Sequence, residues 1–187
     1  MNIQEEDAMV NSQELKVRPS NTAPTAARSG PVPVLLGAAH RVAIILSGVL
    51  AGAILSTWLS EGSLREDAEL WISYHQAITA AYTQALPPIG GLALLATLAT
   101  LVASWRSAGT RRLVVAALAF LVVGLLVTVV VHFPINDQIM SWQPAAPPAD
   151  WQDVRAEWLT AHAVRTVSAM AGFVLLVLAF TQRNRAS

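Results

Sequence analysis

The side chains best equipped for chemistry crowd around one apolar stretch and the start of the next. His132-Phe133-Pro134-Ile135-Asn136-Asp137 closes the third apolar stretch. A loop with Trp142 then leads to Trp151, Arg155, Trp158, His162 and Arg165. Imidazole exchanges protons near neutral pH, and a guanidinium stabilises a developing oxyanion. A carboxamide can hold a carbonyl or phenol oxygen, and indoles stack on flat rings. Arg155, Trp158, His162 and Arg165 step by three, four and three residues, which puts them on one helix face. His75 falls on the same side of the predicted bundle as His132 and His162. His40, beside Arg41, falls at the opposite end. Together these residues read as the wall of a pocket.

Each of them also has a plainer reading. Asn136 and Asp137 could cap backbone groups in a turn after Pro134, a proline expected to end the third helix. Trp71, Trp142, Trp151 and Trp158, with Trp58, could form an aromatic belt at the headgroup layer. Arg165 could snorkel to the headgroups, or face the bundle interior with Glu157 or Asp137 as partner. Histidines at an interface can simply be polar.

A metal site is a different class of chemistry. Neutral imidazoles at His75, His132 and His162 could bind copper, zinc or iron. No two of them sit three or four residues apart on one helix, so such a site would have to be assembled in three dimensions. With no cysteine in the chain, thiolate metal sites, disulfides and cysteine nucleophiles are excluded.

The elements that must position these groups are membrane helices. The chain is 54% hydrophobic and only 13% charged, against about a quarter charged in ordinary soluble domains. Stretches 42–59, 78–105, 113–131 and 166–181 approach or exceed the roughly 20 apolar residues that cross a bilayer. The spacing predicts an all-α, polytopic four-helix bundle over 34–182, with a helical or irregular extension on one face. Residues 1–33, polar and opening on Glu5-Glu6-Asp7, are expected to be a disordered cytoplasmic tail, and 183–187 a second one.

Charge sets the expected orientation. One end carries Arg28, Arg41, Arg106, Arg111, Arg112, Arg183 and Arg185 with no acidic residue. The other carries Glu61, Glu66, Asp67, Glu69, Asp137, Asp150, Asp153 and Glu157, with Arg65, Arg155 and Arg165. Arginine excess marks the cytoplasmic side, so both termini are expected inside a multi-pass cell-membrane protein. Zero net charge and no basic cluster argue against nucleic acid as a partner. Gly48 and Gly52 have the spacing that lets helices approach closely. Pro87-Pro88 should kink or break the second helix, making 71–86 a separate helical segment or an extension near the outer surface. Asp150 is the expected N-cap of the fourth.

The element His132-Phe133-Pro134-Ile135-Asn136, followed by Trp151, Arg155, Trp158, His162 and Arg165, resembles the anthrone oxygenase family of small four-helix membrane proteins. His132 stands where that family more usually has Asn, and His162 at a place that varies between Asn and His. Ser47-Gly48-Val49-Leu50-Ala51-Gly52 and Pro87-Pro88 resemble its N-terminal half less specifically. The resemblance covers about 35–180. It implies oxidation of a flat phenolic polycycle by dioxygen without an added cofactor. His132, or else His162, would be the base, Arg165 or Arg155 would stabilise the anion, and Asn136 would hold a ring oxygen. Trp142, Trp151, Arg155 and Trp158 would bind the substrate. The expected partner is a small apolar aromatic or lipid-like molecule. A non-catalytic membrane protein that binds a lipid, a quinone or a partner helix is the third reading.

Overall fold

The computed structural model describes residues 31–185, Arg65 excepted. Residues 1–30 of the expected N-terminal tail and the last two residues lie outside the described set. The described chain is all helical: α1 (Pro31–Ser63), α2 (Ala68–Ala103), α3 (Ala108–Val127), a π-helical turn (Thr128–His132), α4 (Phe133–Met140) and α5 (Trp151–Arg185). Four spans, with α3 and α4 counted as one, are long and apolar enough to cross a membrane.

Burial shows why apolar helices assemble this way. The interior is lined with small and hydroxylated residues, among them Ala43, Ser47, Ala51, Ala93, Thr97, Ala117, Ser168 and Ala169. Leu92, Leu95, Val130, Val167 and Leu178 are exposed. In water that distribution would be unfavourable. In lipid, where large apolar side chains gain nothing by leaving the solvent, close contact through small residues is the stable solution. Interior hydroxyls are satisfied within their own helices: Thr97 donates to the Ala93 carbonyl at 2.7 Å and Ser104 to Thr100 at 2.8 Å.

Two expected breaks are absent. Helix α2 runs unbroken through Pro87 and Pro88 over 36 residues, about 54 Å at 1.5 Å per residue. Two missing amide donors are not enough to stop a helix whose N-terminus is capped, the Leu70 amide donating to the Asp67 carboxylate at 2.9 Å. Pro134 does not end the third span either. The π turn widens the backbone just before it, with the Phe133 amide bonding back to the Thr128 carbonyl. Pro134 then falls in the first turn of α4, where its missing N–H costs little. Asn136 and Asp137 are therefore helical residues, not turn residues. Of the two readings of 71–86, the structure shows the extension: these residues belong to the first half of α2 and are not a separate segment.

Glycines set the helix spacing unevenly. A Cβ on Gly172 would sit 3.1 Å from Leu121, so α5 lies close against α3 there. A Cβ on Gly48 would meet the Phe173 ring at 3.0 Å, whereas Gly52 has nothing within 4 Å. Only one of the two spaced glycines on α1 thus receives a neighbour, and that neighbour is an aromatic side chain. Helix α5 packs on α3 and α1, α1 packs on α2, and of the chain neighbours among the four spans α2 and α3 contact each other sparsely.

At the acidic end the helices build a second apolar core. Trp71 and Ile72 of α2, Ile135 and Ile139 of α4 and Trp158 of α5 are buried together, with Leu64, Trp142 and Trp151 against them. This is the helical extension expected on one face of the bundle, made by prolonging α2, α3–α4 and α5. The Asp150 carbonyl opens α5 by accepting from the Val154 amide at 3.1 Å.

Candidate functional site: an apolar cleft with a buried arginine

The sparse contact between α2 and α3 leaves a cleft of about 280 Å³. Its α2 wall includes Ile78, Thr79, Tyr82, Leu86 and Gly90, and its opposite wall Phe120, Gly124, Thr128, Phe133 and Asn136. Leu50 and Ile54 of α1 and Trp158, Arg165 and Ala169 of α5 close it behind. Thr83, Pro87, Phe120, Leu125 and Phe133 line the cleft and are also exposed. The mouth therefore opens sideways between the helices, within the apolar spans.

Arg165 gives the cleft its charge. One amino group donates to Nδ1 of His162 at 2.9 Å, and the other makes a long 3.5 Å contact with the Thr128 hydroxyl. Its Nε is buried without a hydrogen-bond partner among the described residues. The expected carboxylates are elsewhere: Asp137 and Glu157 are exposed, and no ion pair joins either to Arg165 among the described residues. Snorkelling is also ruled out, because Arg165 faces the cleft. Beside it, Asn136 accepts from Nε1 of Trp158 at 2.8 Å through Oδ1, which leaves its NH₂ group to donate. The lining holds one guanidinium and no carboxylate or imidazole. A ligand oxygen with negative charge would find donors there and no repulsion.

The three histidines stand behind this wall. His162 is fully committed: Nε2 faces the Ile54 carbonyl at 2.9 Å while Nδ1 accepts from Arg165. Only the tautomer protonated at Nε2 makes both bonds. His132 points Nδ1 at the Val127 carbonyl at 3.3 Å, and its Nε2 has no hydrogen-bond partner among the described residues. His75 places Nδ1 2.9 Å from Oε1 of Glu61. Trp158 separates all three from the cleft. It stacks on His162 at 4.4 Å and meets His75 and His132 edge-on at 5.0 and 5.3 Å. Among the described residues no three His, Asp or Glu side chains converge as metal ligands, and both nitrogens of His162 are already engaged.

Of the expected site, then, Asn136, Trp158 and Arg165 line the cleft, while His132 and His162 back it. Trp142, Trp151 and Arg155 lie in the acidic-end core. Trp151 is tilted against Trp71 at 6.0 Å, and Arg155 donates to the Glu61 carbonyl at 2.9 Å. Trp142 is held through its carbonyl by Gln76 at 2.9 Å. Trp71 and Trp158 are buried, so they are not belt residues; Trp58 stays at the surface.

The comparison with known proteins follows this geometry. The sequence profile of the anthrone oxygenase family matches residues 74–175, which span the α2 wall, the π turn, Asn136, Trp158 and Arg165. The chain belongs to the anthrone oxygenase family. No curated protein and no solved structure matches it. The family match thus covers both walls of the cleft, and α1 lies outside it.

Reasoning from sequence missed Glu61, Tyr82 and the Thr57–Ile54 part of the back wall. A signal existed for Tyr82. His75, Ile78, Thr79, Tyr82 and Leu86 recur at helical spacing on one face of α2. Glu61 had a fainter one, as a carboxylate following directly on an apolar span.

Proposed function

We propose that this anthrone oxygenase family member oxidises a flat, membrane-dissolved phenol of the anthrone type with dioxygen, in the cleft between α2 and α3. The observation that carries the reading is Arg165, a guanidinium at the back of an apolar cleft with no carboxylate partner among the described residues. A buried cation is costly unless something compensates it. A ligand bound as phenolate or enolate would do so, with the Asn136 carboxamide on the same oxygen. The ring system would lie along Tyr82, Leu86 and Phe120 against Trp158. The lateral mouth suits a substrate arriving from the lipid.

Donors fixed before the reaction stabilise the charge that develops on the ring oxygen, and this is the protein's main contribution to such chemistry. The test is oxygen uptake by the purified protein supplied with anthrone, corrected for spontaneous oxidation. Anthraquinone should appear at one mole per mole of oxygen consumed. A rate no greater than the protein-free control would sink the proposal.

The same reading puts the acidic end outside the cell and both termini in the cytoplasm, on the arginine partition. Single cysteines near Asp67 and Asp150, in a chain that has none, should react with an impermeant thiol reagent on intact cells. Protection at both sites would reverse the orientation.

A further inference from the structure

An oxidation of this kind has to move protons, and the histidines cannot serve it. None of the three lines the cleft, and Trp158 stands between them and anything bound there. The cleft wall itself has to supply the group. Among its lining side chains Arg165 stays protonated, and only Tyr82 has an acidic hydrogen that it can give up and take back.

The way the lining hydroxyls are used points to the same residue. Thr57 donates to the Ala53 carbonyl at 3.0 Å, Thr83 to the Thr79 carbonyl at 2.8 Å and Thr128 to the Gly124 carbonyl at 2.8 Å. Each of these bonds stays within one helix and keeps its hydrogen from a ligand. The hydroxyls of Thr79 and Tyr82, one turn apart on the α2 wall, make no hydrogen bond among the described residues. A phenol taken out of water normally finds a partner, and for half-buried Tyr82 the cleft is where one would come from. Uncommitted donors thus stand on two sides: Arg165 and the Asn136 carboxamide on one, Tyr82 and Thr79 on the other.

We infer that Tyr82 is the catalytic acid and base of this oxidation, acting on the peroxide and not on the anthrone itself. The assignment rests on the oxygenase reading above. In an anthrone the methylene carbon lies across the central ring from the carbonyl oxygen. A substrate anchored by that oxygen on Arg165 and Asn136 turns the carbon towards α2, the wall that carries Tyr82.

The steps balance with dioxygen as the oxidant. Anthrone loses one methylene proton to water and binds as the enolate, the form that Arg165 stabilises. The enolate's electron pair makes a bond from the ring carbon to dioxygen and leaves negative charge on the outer oxygen. Tyr82 gives its phenolic proton to that oxygen, which yields a hydroperoxide and a phenolate. The phenolate then takes the hydrogen remaining on the carbon as a proton. The C–H pair becomes the second bond of the quinone carbonyl, the O–O bond breaks and hydroxide departs. Tyr82 ends protonated as it began, and the hydroxide and the proton first lost make water. One residue serves both transfers, so a lining without carboxylate or imidazole suffices.

The experiment mixes full-length protein with anthrone and oxygen and quenches the reaction in acid. Quinone and hydroperoxide are measured by mass spectrometry, and enolate binding without oxygen by visible absorption. Tyr82→Phe should bind the enolate as wild type does, form quinone on the order of 100-fold more slowly and accumulate hydroperoxide. Tyr74→Phe, which changes the chain's other tyrosine outside the lining, should match wild type. If Tyr82→Phe forms quinone at the wild-type rate, or is slow without accumulating hydroperoxide, the assignment is overturned and the oxygenase reading stands. A wild type that forms no quinone above the protein-free control would remove both. Should Tyr82→Phe fail to fold, fluorotyrosine incorporated into Tyr74→Phe alters position 82 alone. Its phenolate is a weaker base, so breakdown of the hydroperoxide should slow and the intermediate should appear. Quinone formed at the rate of unlabelled Tyr74→Phe, with no intermediate, would equally overturn the assignment.

Discussion

The two ends of this bundle satisfy their polar groups in opposite ways. At the arginine-rich end, Thr97, Thr100 and Ser104 hydrogen-bond to carbonyls four residues back in their own helix. At the acidic end, beside such local bonds as Thr57 to Ala53 and Thr160 to Ala156, four bonds cross between helices: His162 to Ile54, Arg155 to Glu61, Gln76 to Ile139, Trp158 to Asn136. A bond within one helix forms whether or not the bundle does, and it constrains nothing beyond its own turn. A bond across helices fixes the orientation of both partners, as a preorganised site requires. On the function proposed above, the arginine-rich end is scaffold and the acidic end holds the chemistry. The scaffold end has non-local bonds too: His40 Nε2 lies 3.0 Å from the Leu176 carbonyl, and Arg111 donates to the Trp105 carbonyl at 2.8 Å.

The sharpest way to break this contrast is Arg165→Leu. If the cleft works by holding an anion, the substitution should lower turnover of anthrone by about 100-fold or more. The thermal midpoint should move little, because the desolvation cost of the cation disappears along with its bond to His162. Retained activity would show that the charge serves the fold. A matched pair of substitutions probes the scaffold next. Gly172→Leu drives a side chain into Leu121 and should cost about 1–3 kcal/mol. Gly52→Leu, where nothing lies within 4 Å of the Cβ position, should cost far less. Unfolding midpoints in a denaturing detergent would rank them, and equal losses would mean that α5 does not depend on its close approach to α3.

How much of this was legible beforehand depends on the range of the interaction concerned. The spans were readable because hydropathy is a local property. The inward face of Arg155, Trp158, His162 and Arg165 was readable because helical spacing is local too. The π turn was not, because Pro134 read alone is a helix terminator. Only the Phe133-to-Thr128 bond beside it shows how the chain passes through. Glu61 and His75 lie fourteen residues apart on different helices, and nothing in either segment announces the other. The cleft itself exists because α2 and α3 contact each other only sparsely, a property of the assembled bundle that no single stretch encodes. The same blindness made Trp71 look like an interfacial residue when it belongs to a core.

Trp158→Phe sharpens the contrast at intermediate size. It keeps an aromatic ring against His162 but deletes the donor to Asn136, a bond worth about 1 kcal/mol. Once its carboxamide is free to rotate, Asn136 no longer presents its NH₂ group to the cleft. Turnover of anthrone should fall on the order of tenfold, the kinetic equivalent of roughly 1.4 kcal/mol, while the unfolding midpoint drops only slightly. An equal loss of stability and no loss of rate would assign the bond to the fold instead.

The smallest expected effect is the most direct check on the scaffold half. Thr97 is fully buried, and its hydroxyl donates to the Ala93 carbonyl at 2.7 Å. By ordinary rules a buried hydrogen bond should be missed. Yet Thr97→Val has nearly the same shape, and the Ala93 carbonyl keeps its main-chain partner within α2, so nothing is left unsatisfied. The cost should stay within about 0.5 kcal/mol, as for changes that leave no group orphaned, and turnover should not change. A loss above that, read as a shift in detergent unfolding, would mean the hydroxyl reaches beyond its own turn. The arginine-rich end would then be wired across helices as the acidic end is, and the division between scaffold and site would fail.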